Sequence, residues 1–456
     1  MSQDGTNAAN GFLVVIKVAR QRRSRGFLGF LLGIGMSGAV FGQTAVSNAP
    51  VKLTLAEAKQ TAFLRNWDLL TAKSGIDAAT AQLIVTREFP NPTANFSTAD
   101  IGHRAATVEG NGIWQRSYDT IFAVSQLIEI AGKRHARQAA ARAGVRGAKA
   151  RFYDARRTLD QGVTKAYIAA LLAEYNVGIL DESARFMQRE ADIALARAKA
   201  GDLSDSDLKQ IQISAEQFEL QETAAQATAA QARISVEILM GIRHPAGRWM
   251  PADSLEQMDS MSPISPPASN NAARPDILAA EADLRGGEFN LKLQKKMRIP
   301  DPTFSIQYEH DPVPPGPPAD DTVGFGISFP LPFWNLNGGN IKAAEAAVDQ
   351  YQLALGKVRA QADSDAASAQ VEYREAYDRW QRYKTLILPQ SAQSRAAVSF
   401  AFEKGAATLV DLLEAERTDN AVRMAHAQAM SDTASAVADV AAAQTVLSEM
   451  ELEARK

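Results

Sequence analysis

The chain has no cysteine, and only five histidines are scattered through its 456 residues. The first absence excludes a disulfide framework, a thiolate metal centre and a catalytic thiol, and it leaves no acceptor for the acyl anchor of a bacterial lipoprotein. His103, His135, His244, His310 and His426 show no spacing at which two of them would share a metal ion. Bases and acids nearly cancel, 49 against 52, so the chain carries no electrostatic footprint for nucleic acid. Beyond the leader no stretch holds some 18 uninterrupted apolar residues, which excludes an ordinary membrane-spanning helix. Gly132-Lys133-Arg134 lacks the upstream glycine and the following Ser or Thr of a phosphate loop. With no nucleophile, base or metal constellation, neither an enzyme nor a resident cofactor is expected.

What is present begins with that leader. Lys17, Arg20, Arg22, Arg23 and Arg25 precede an apolar, glycine-rich run over residues 26–41, and small residues follow at Gly42-Gln43. A positive flank, a short apolar stretch and a small-residue exit describe a cleavable secretory signal over 1–42. Cleavage there removes five bases and one acid and leaves a charge of about −7 on an exported chain.

The mature sequence says the same thing twice, at an offset of roughly 205–210 residues, too long for a small-repeat solenoid. Asn66-Trp67-Asp68-Leu69-Leu70 returns as Arg274-Pro275-Asp276-Ile277-Leu278, and Pro90-Asn91-Pro92 as Pro300-Asp301-Pro302. Gly201-Asp202-Leu203-Ser204-Asp205-Ser206-Asp207-Leu208 returns as Gly405-Ala406-Ala407-Thr408-Leu409-Val410-Asp411-Leu412. The order of the marks divides the chain into a linker over 43–52, a first repeat over 53–240, a second linker over 241–271, a second repeat over 272–449 and a tail over 450–456.

Each repeat reads as helix, strand pair, long helix, tight turn, helix. Thr54 with Glu57 three residues on is a capping box, opening a helix that runs to about Glu88, where Pro90 and Pro92 forbid continuation. From Lys133 to Pro245 there is no proline, and the only strong break is the turn at 201–204, with glycine at the helix end and Ser204 as the next N-cap. The spacing predicts helices over 133–200 and 205–240, then 272–296, a long helix over 340–404 and a last one over 408–449, with a turn at 405–408. A helix over 133–200 is on the order of 100 Å long. Such helices fit no compact globule and must lie side by side, and the abundant alanine lets them approach closely.

Four segments read as strands. Residues 303–309 and 322–329 alternate apolar with Gly or polar, the pattern of an outer-membrane barrel strand, while 93–101 and 118–128 alternate less cleanly. Trp114, Tyr118, Phe333 and Trp334 at strand ends suit an interfacial aromatic girdle, and the polar stretches 102–117 and 310–321 suit exposed barrel loops. The smallest membrane barrels have about eight strands, so a four-strand chain must share one barrel among several copies.

Taken together these marks resemble the TolC-like outer-membrane efflux protein family. They are Leu53-Thr54-Leu55 with Glu57-Ala58, the two Pro-x-Pro marks, Gly132-Lys133-Arg134, Arg274-Pro275-Asp276, Phe329-Pro330-Leu331-Pro332-Phe333 and Gly338-Gly339-Asn340-Ile341. The segment Ile128-Glu129-Ile130-Ala131-Gly132-Lys133-Arg134 and the Pro-Leu-Pro run look most like the CzcC-like branch, which serves heavy-metal or other cation efflux. The resemblance implies a mainly α fold with a membrane β-barrel. Three chains would form a homotrimer whose long helical hairpins build an α-barrel tunnel and whose strands build a shared twelve-stranded barrel. It further implies a passive exit duct in the Gram-negative outer membrane with a long periplasmic domain. Its partners would be a periplasmic adaptor (membrane fusion) protein, an inner-membrane pump of the resistance-nodulation-division (RND) type, and outer-membrane lipid. Residues 241–271 and the tail would form a belt around the middle of the tunnel.

By the same resemblance Ser206, Asp207, Phe402, Asp411 and Glu414 fall on periplasmic gate and selectivity positions. Gly201, Leu203, Ser204, Gly405, Thr408 and Leu409 fall on the tip turns where the adaptor docks. Asp411 and Glu414, three apart, share a helix face, and three copies would ring a narrowing with carboxylates that gather cations. Phe402 stands where some members carry Tyr and cannot donate a hydrogen bond, and Ala407 stands where some carry a base, so the gate lacks two of its usual contacts. Two other readings fit the same elements. One is a duct for organic compounds or secreted polypeptide (type I secretion), and the other a periplasmic helical adaptor or scaffold without a pore.

Overall fold

A computed structural model describes residues 51–99, 119–201, 203–256, 273–311 and 320–447. The leader, the tail, His103, Trp114, Tyr118 and the end of the 241–271 segment lie outside them.

The first helix, expected in one piece, is two. The Thr54 capping box forms as the sequence predicts, but α1 (Leu55–Arg65) and α2 (Trp67–Val85) part at Asn66, where the backbone is extended (φ −60°, ψ 130°). The Asn66 side chain explains the break. Its Oδ1 accepts the Leu69 N–H (3.0 Å) and caps α2, while its Nδ2 donates to the Leu239 carbonyl (2.9 Å). In the second repeat Arg274 holds the same conformation (φ −66°, ψ 138°) and Pro275 opens α5 (Pro275–Lys296). The aligned marks are one helix start used twice, with Leu69 and Ile277 buried just inside it.

Helix α3 (Lys133–Ala200) runs unbroken for 68 residues and is followed by α4 (Asp205–Leu239). Its counterpart over 340–404 is interrupted. Helix α6 (Gly338–Arg382) passes through a π-helical turn (Tyr383–Ile387) into α7 (Leu388–Glu403), before α8 (Leu409–Ala443). Pro389 is the cause: it has no N–H and its ring crowds the carbonyl four residues back, and the wider turn makes room. The Leu388 N–H reaches back five residues to the Tyr383 carbonyl.

Strands β2 (Thr93–Ala99), β3 (Asp119–Leu127), β5 (Thr303–Asp311) and β6 (Asp320–Ser328) form one antiparallel sheet in that order. Register places Phe96, Phe122, Tyr308 and Val323 abreast, with Ala94, Val124, Ile306 and Phe325 in the next row of the same face. The opposite face carries Asn95, Ala123, Gln307 and Gly324, then Thr93, Ser125, Ser305 and Gly326. The glycines are required there: a Cβ on Gly324 would lie 2.9 Å from Gln307 Cγ, and one on Gly326 2.6 Å from Ser305 Oγ. β2 and β6 are the free edges of the sheet.

The helices continue this order as a layer. Nearest the sheet α2, α3, α5 and α6 pack side by side in sequence, each prolonging the strand of its own rank. Toward the other end the neighbours become α4, α3, α8 and α7. The layer therefore also has two lateral edges, and their helices expose large apolar side chains: Trp67 on α2, Leu220 on α4, Leu353 on α6 and Phe400 on α7. Among the described residues half of the buried apolar side chains are alanines, which brings helix axes close in a wall one helix thick.

Three fastenings hold the layer together. Between the repeats lies a segment expected as a linker, which contributes β4 (Trp249–Pro251), paired in parallel with β1 (Val51–Leu53). Beside this pair the fully buried Tyr167 stacks on Trp249 (ring centroids 5.8 Å apart), with its hydroxyl 2.7 Å from the Leu53 carbonyl and 2.8 Å from the Asp253 carboxylate. Where β3 enters α3, the buried Lys133 ammonium meets Asp301 of the second Pro-x-Pro mark (2.8 Å), whose other oxygen accepts the Ile130 N–H (2.9 Å). The Gly-Lys-Arg motif is thus a splice between halves, with the Arg134 guanidinium 3.4 Å above the Phe89 ring.

The third is Arg274, 1% exposed, which binds Asp276 (2.6 Å) at the start of α5 and Asp365 (3.0 Å) on α6. Truncating one partner of a buried ion pair strands the other charges. Arg274→Met should lower unfolding stability by about 3 kcal/mol, the low end for a buried pair because Asp365 keeps some water. Arg274→Lys should recover only part, since a single ammonium cannot replace the forked contact. The guanidinium-chloride midpoint of the detergent-solubilised protein, followed by circular dichroism, measures both, and an unchanged midpoint in the Met variant would refute the role.

Candidate functional site

The far end of the helical layer is built from the two copies of one turn. After α3, Gly201 takes a left-handed conformation (φ +85°), and after α7 Gly405 does the same (φ +73°), a backbone state that side chains with a Cβ resist. Ser204 then caps α4 and Thr408 caps α8. The third residue of each new helix closes the cap: the Asp207 N–H donates to Ser204 Oγ (3.1 Å) and the Asp411 N–H to Thr408 Oγ1 (3.2 Å). Asp411 also accepts the Thr408 hydroxyl (2.7 Å) and N–H (2.8 Å), which hold its carboxyl below the usual aspartate range. It therefore stays charged as pH falls further than a free aspartate would.

The sequence-derived site residues separate into three groups. Ser206 and Glu414 line one groove of about 480 Å³ between α4 and α8, together with Lys209, Arg417 and the exposed apolar Ile213 and Val410. Asp207 and Asp411 lie at the helix starts, engaged in capping. Phe402 is half-buried at the end of α7, apart from that groove, and its carbonyl receives the Gly405 N–H (3.0 Å). Of the tip-turn residues, Gly201, Ser204, Gly405 and Thr408 are exposed. Leu203 and Leu409 instead pack, partly buried, against a tip core containing Met187, Ile211, Phe218 and Leu413.

Sequence reasoning missed a buried polar cluster farther from the tip. Glu416 and Asp419 on α8 are almost fully buried and share one base, Arg395 of α7, at 3.4 and 3.2 Å. Ser391 donates to Asp419 (2.9 Å), and Ser183 of α3 donates to Asn420 Oδ1 (2.7 Å). Burial pushes the Glu416 carboxyl up, Arg395 opposes the shift, and Asp419 and Glu182 add to it. A smaller tension lies near the tip, where burial and then the charge of Glu403 on α7 raise Glu190 of α3, against Arg189. The only sequence signal was spacing: Ser391 with Arg395, and Glu416 with Asp419 and Asn420, each share a helix face.

The repeated hairpin, the open sheet with one apolar face and the single-thickness wall have counterparts among known proteins. A family model described as outer membrane efflux protein matches residues 58–242 and 269–444. The chain belongs to that family. It is an outer-membrane efflux channel of the TolC type, not an enzyme. The cobalt-zinc-cadmium resistance protein CzcC of Cupriavidus metallidurans is 25% identical over 374 residues, covering 80% of this chain and 84% of that protein. Two solved structures show the fold. CusC has a TM-score of 0.71 at 18% identity, with 87% of this chain and 93% of that one covered. The CmeC outer membrane channel of Campylobacter jejuni has a TM-score of 0.69 at 19% identity, with 88% of each chain covered.

Glu416 supplies a pH test within this channel. A carboxyl raised in the folded state stabilises as pH falls from the raised value toward its ordinary one near 4.5, and that contribution is lost as pH rises through the raised value. Wild type should therefore gain thermal stability between neutral pH and about pH 5. Glu416→Gln should be no less stable at pH 7.5 and should lose most of that gain. A Gln variant with the wild-type slope would show that another group titrates.

Proposed function

We propose that the chain acts as a homotrimeric, passive exit duct completing a tripartite efflux system, with divalent or other metal cations as cargo. The observation that carries this reading is the match between two open edges. β2 and β6 end the sheet just as α2 and α6, then α4 and α7, end the helical layer, so one rotation about a common axis can satisfy both. Three copies give twelve strands, above the minimum that closes a membrane barrel. The outward rows of Phe96, Phe122, Ile306 and Phe325 then face lipid, and Asn95, Gln307, Ser305 and the two glycines face water.

The helices descend into the periplasm and the paired turns form the tip. There Gly201, Ser204, Gly405 and Thr408 receive the hairpin of an adaptor protein that links the duct to an inner-membrane pump of the RND type. Leu203 and Leu409 hold the turns in shape from beneath. Asp411 and Glu414 of three copies ring the entrance with six carboxylates, which concentrates cations and repels anions without binding any one ion tightly. The relative named for cobalt, zinc and cadmium resistance supports a metal cargo. The basic, apolar leader supports export by a cleaved signal.

The charged ring is tested without breaking the turn, because an Asn at position 411 still offers an amide oxygen to the Thr408 N–H, and Thr408 remains the cap. In planar bilayers with a salt gradient, Asp411→Asn with Glu414→Gln should reduce the cation-over-anion permeability ratio several-fold and weaken block by multivalent cations. Thr408→Ala, which loses about 1 kcal/mol of capping but no charge, should leave the ratio in place. Unchanged selectivity in the double variant would overturn the ring. A detergent-free, soluble monomer of the processed protein would overturn the duct.

A further inference from the structure

The connection from β6 into α6 is built unlike a solvent loop. The outward residues of β6, Val323, Phe325 and Ile327, are followed at the same period by Phe329, Leu331 and Phe333, although the ladder ends at Ser328. Pro330 and Pro332 keep this stretch out of helix, and the Phe333 N–H closes a tight turn on the Leu331 carbonyl (2.9 Å). Phe329, Leu331 and Phe333 are 54%, 57% and 72% exposed, and Trp334, edge-on to Phe333 at 6.0 Å, is 95% exposed. So much bare aromatic surface has no place on a wetted loop.

The stretch is also held in position. Arg298 Nε donates to the Leu336 carbonyl (3.2 Å), and Asn337 Nδ2 donates to the Gln294 carbonyl (2.8 Å). Its flank is basic: Lys292 and Arg298 near the end of α5 and Lys342 at the start of α6 are exposed, and none has an acidic partner among the described residues. Apolar rings beside unpaired bases at the helix end of a membrane sheet fit the zone where acyl chains meet phosphate headgroups. A second copy of the chain is the other conceivable cover. It would meet β6 through ladder hydrogen bonds in the plane of the sheet, whereas side chains stand perpendicular to that plane.

We infer that residues 329–336, with Lys292, Arg298 and Lys342, form a collar that binds anionic phospholipid in the periplasmic leaflet of the outer membrane. The inference rests on the barrel reading above. The aromatic stretch enters the leaflet at headgroup depth, the three bases pair with lipid phosphates, and the collar fixes how deep the sheet lies.

The full chain in vesicles of phosphatidylethanolamine, with or without phosphatidylglycerol, provides the test. Wild-type emission minus that of Trp334→Phe isolates the Trp334 signal. It should be quenched more strongly by lipid brominated near the headgroup than by lipid brominated near the chain end. Phosphatidylglycerol co-purifying with the protein, counted by mass spectrometry, should fall at least about three-fold in the Lys292→Gln, Arg298→Gln, Lys342→Gln variant. Conductance is recorded on the same vesicles. A conducting channel whose Trp334 signal is unquenched, or whose triple variant retains phosphatidylglycerol, overturns the collar alone. If Trp334→Ala also lowers trimer recovery there, a second copy is the cover. Failure of the wild type to insert and conduct overturns the barrel reading and the collar with it.

Discussion

An open β-sheet edge cannot face hydrocarbon, and this constraint governs the rest of the molecule. Each unpaired N–H and C=O along β2 and β6 would cost several kcal/mol in a medium without water. One face of the sheet is apolar through its middle rows and turns polar only toward its ends, at Thr98, Thr120, His310 and Asp321 and at Gln126, so it is made for that medium, yet within one chain its edges stay open. Partnership between copies is therefore the condition under which the fold is complete. The helices obey it in a softer form, because their lateral surfaces lack apolar cover instead of hydrogen-bond partners. In neither layer does a single chain reach its full burial.

For one closure to serve both layers, strands and helices must keep the same order, and the junctions between them must be stiff. Lys133 with Asp301 spans the two repeats where the sheet ends, Arg274 ties α5 to α6 in the wall, and Tyr167 with Asp253 clamps the β1–β4 pair to α3. These are nearly all polar contacts, in a protein whose apolar core is thin and rich in alanine. Small side chains supply closeness but little directional preference, so the register between helices is set by these few charged and hydrogen-bonded pairs. The cluster of Arg395, Glu416 and Asp419 does the same for α7 and α8, at the expense of a buried negative charge.

Much of this was legible in the sequence. Proline placement and the repeated Gly-x-x-Ser/Thr turn marked the helix ends, because both act through the local backbone. Alternation in 303–309 and 322–329 marked the strands of the second repeat. The breaks at Asn66 and at the π turn were not read. Asn66 separates α1 from α2 through a hydrogen bond to Leu239, far away in sequence, and Pro389 was tolerated inside a helix that the pattern treated as continuous. The β1–β4 pairing was hidden for the same reason, since three-residue strands carry no periodicity. In the candidate site, residue identity was readable but role was not. Asp411 and Asp207 look like surface charge in sequence and prove to be capping groups, while Leu203 and Leu409 look exposed and prove to be partly buried.

The π turn at Tyr383–Ile387 has a mechanical consequence. A helix resists bending through its ladder of hydrogen bonds, and there the ladder is already widened and Pro389 contributes no rung. Below it α7 has no fully buried side chain, whereas α6 above is fastened by Tyr373, Ala376 and Trp380. Compliance is therefore concentrated at one level of one strut. A force applied at the tip would bend α7 at that level first, carrying with it the α8 segment to which Ser391 and Arg395 tie it.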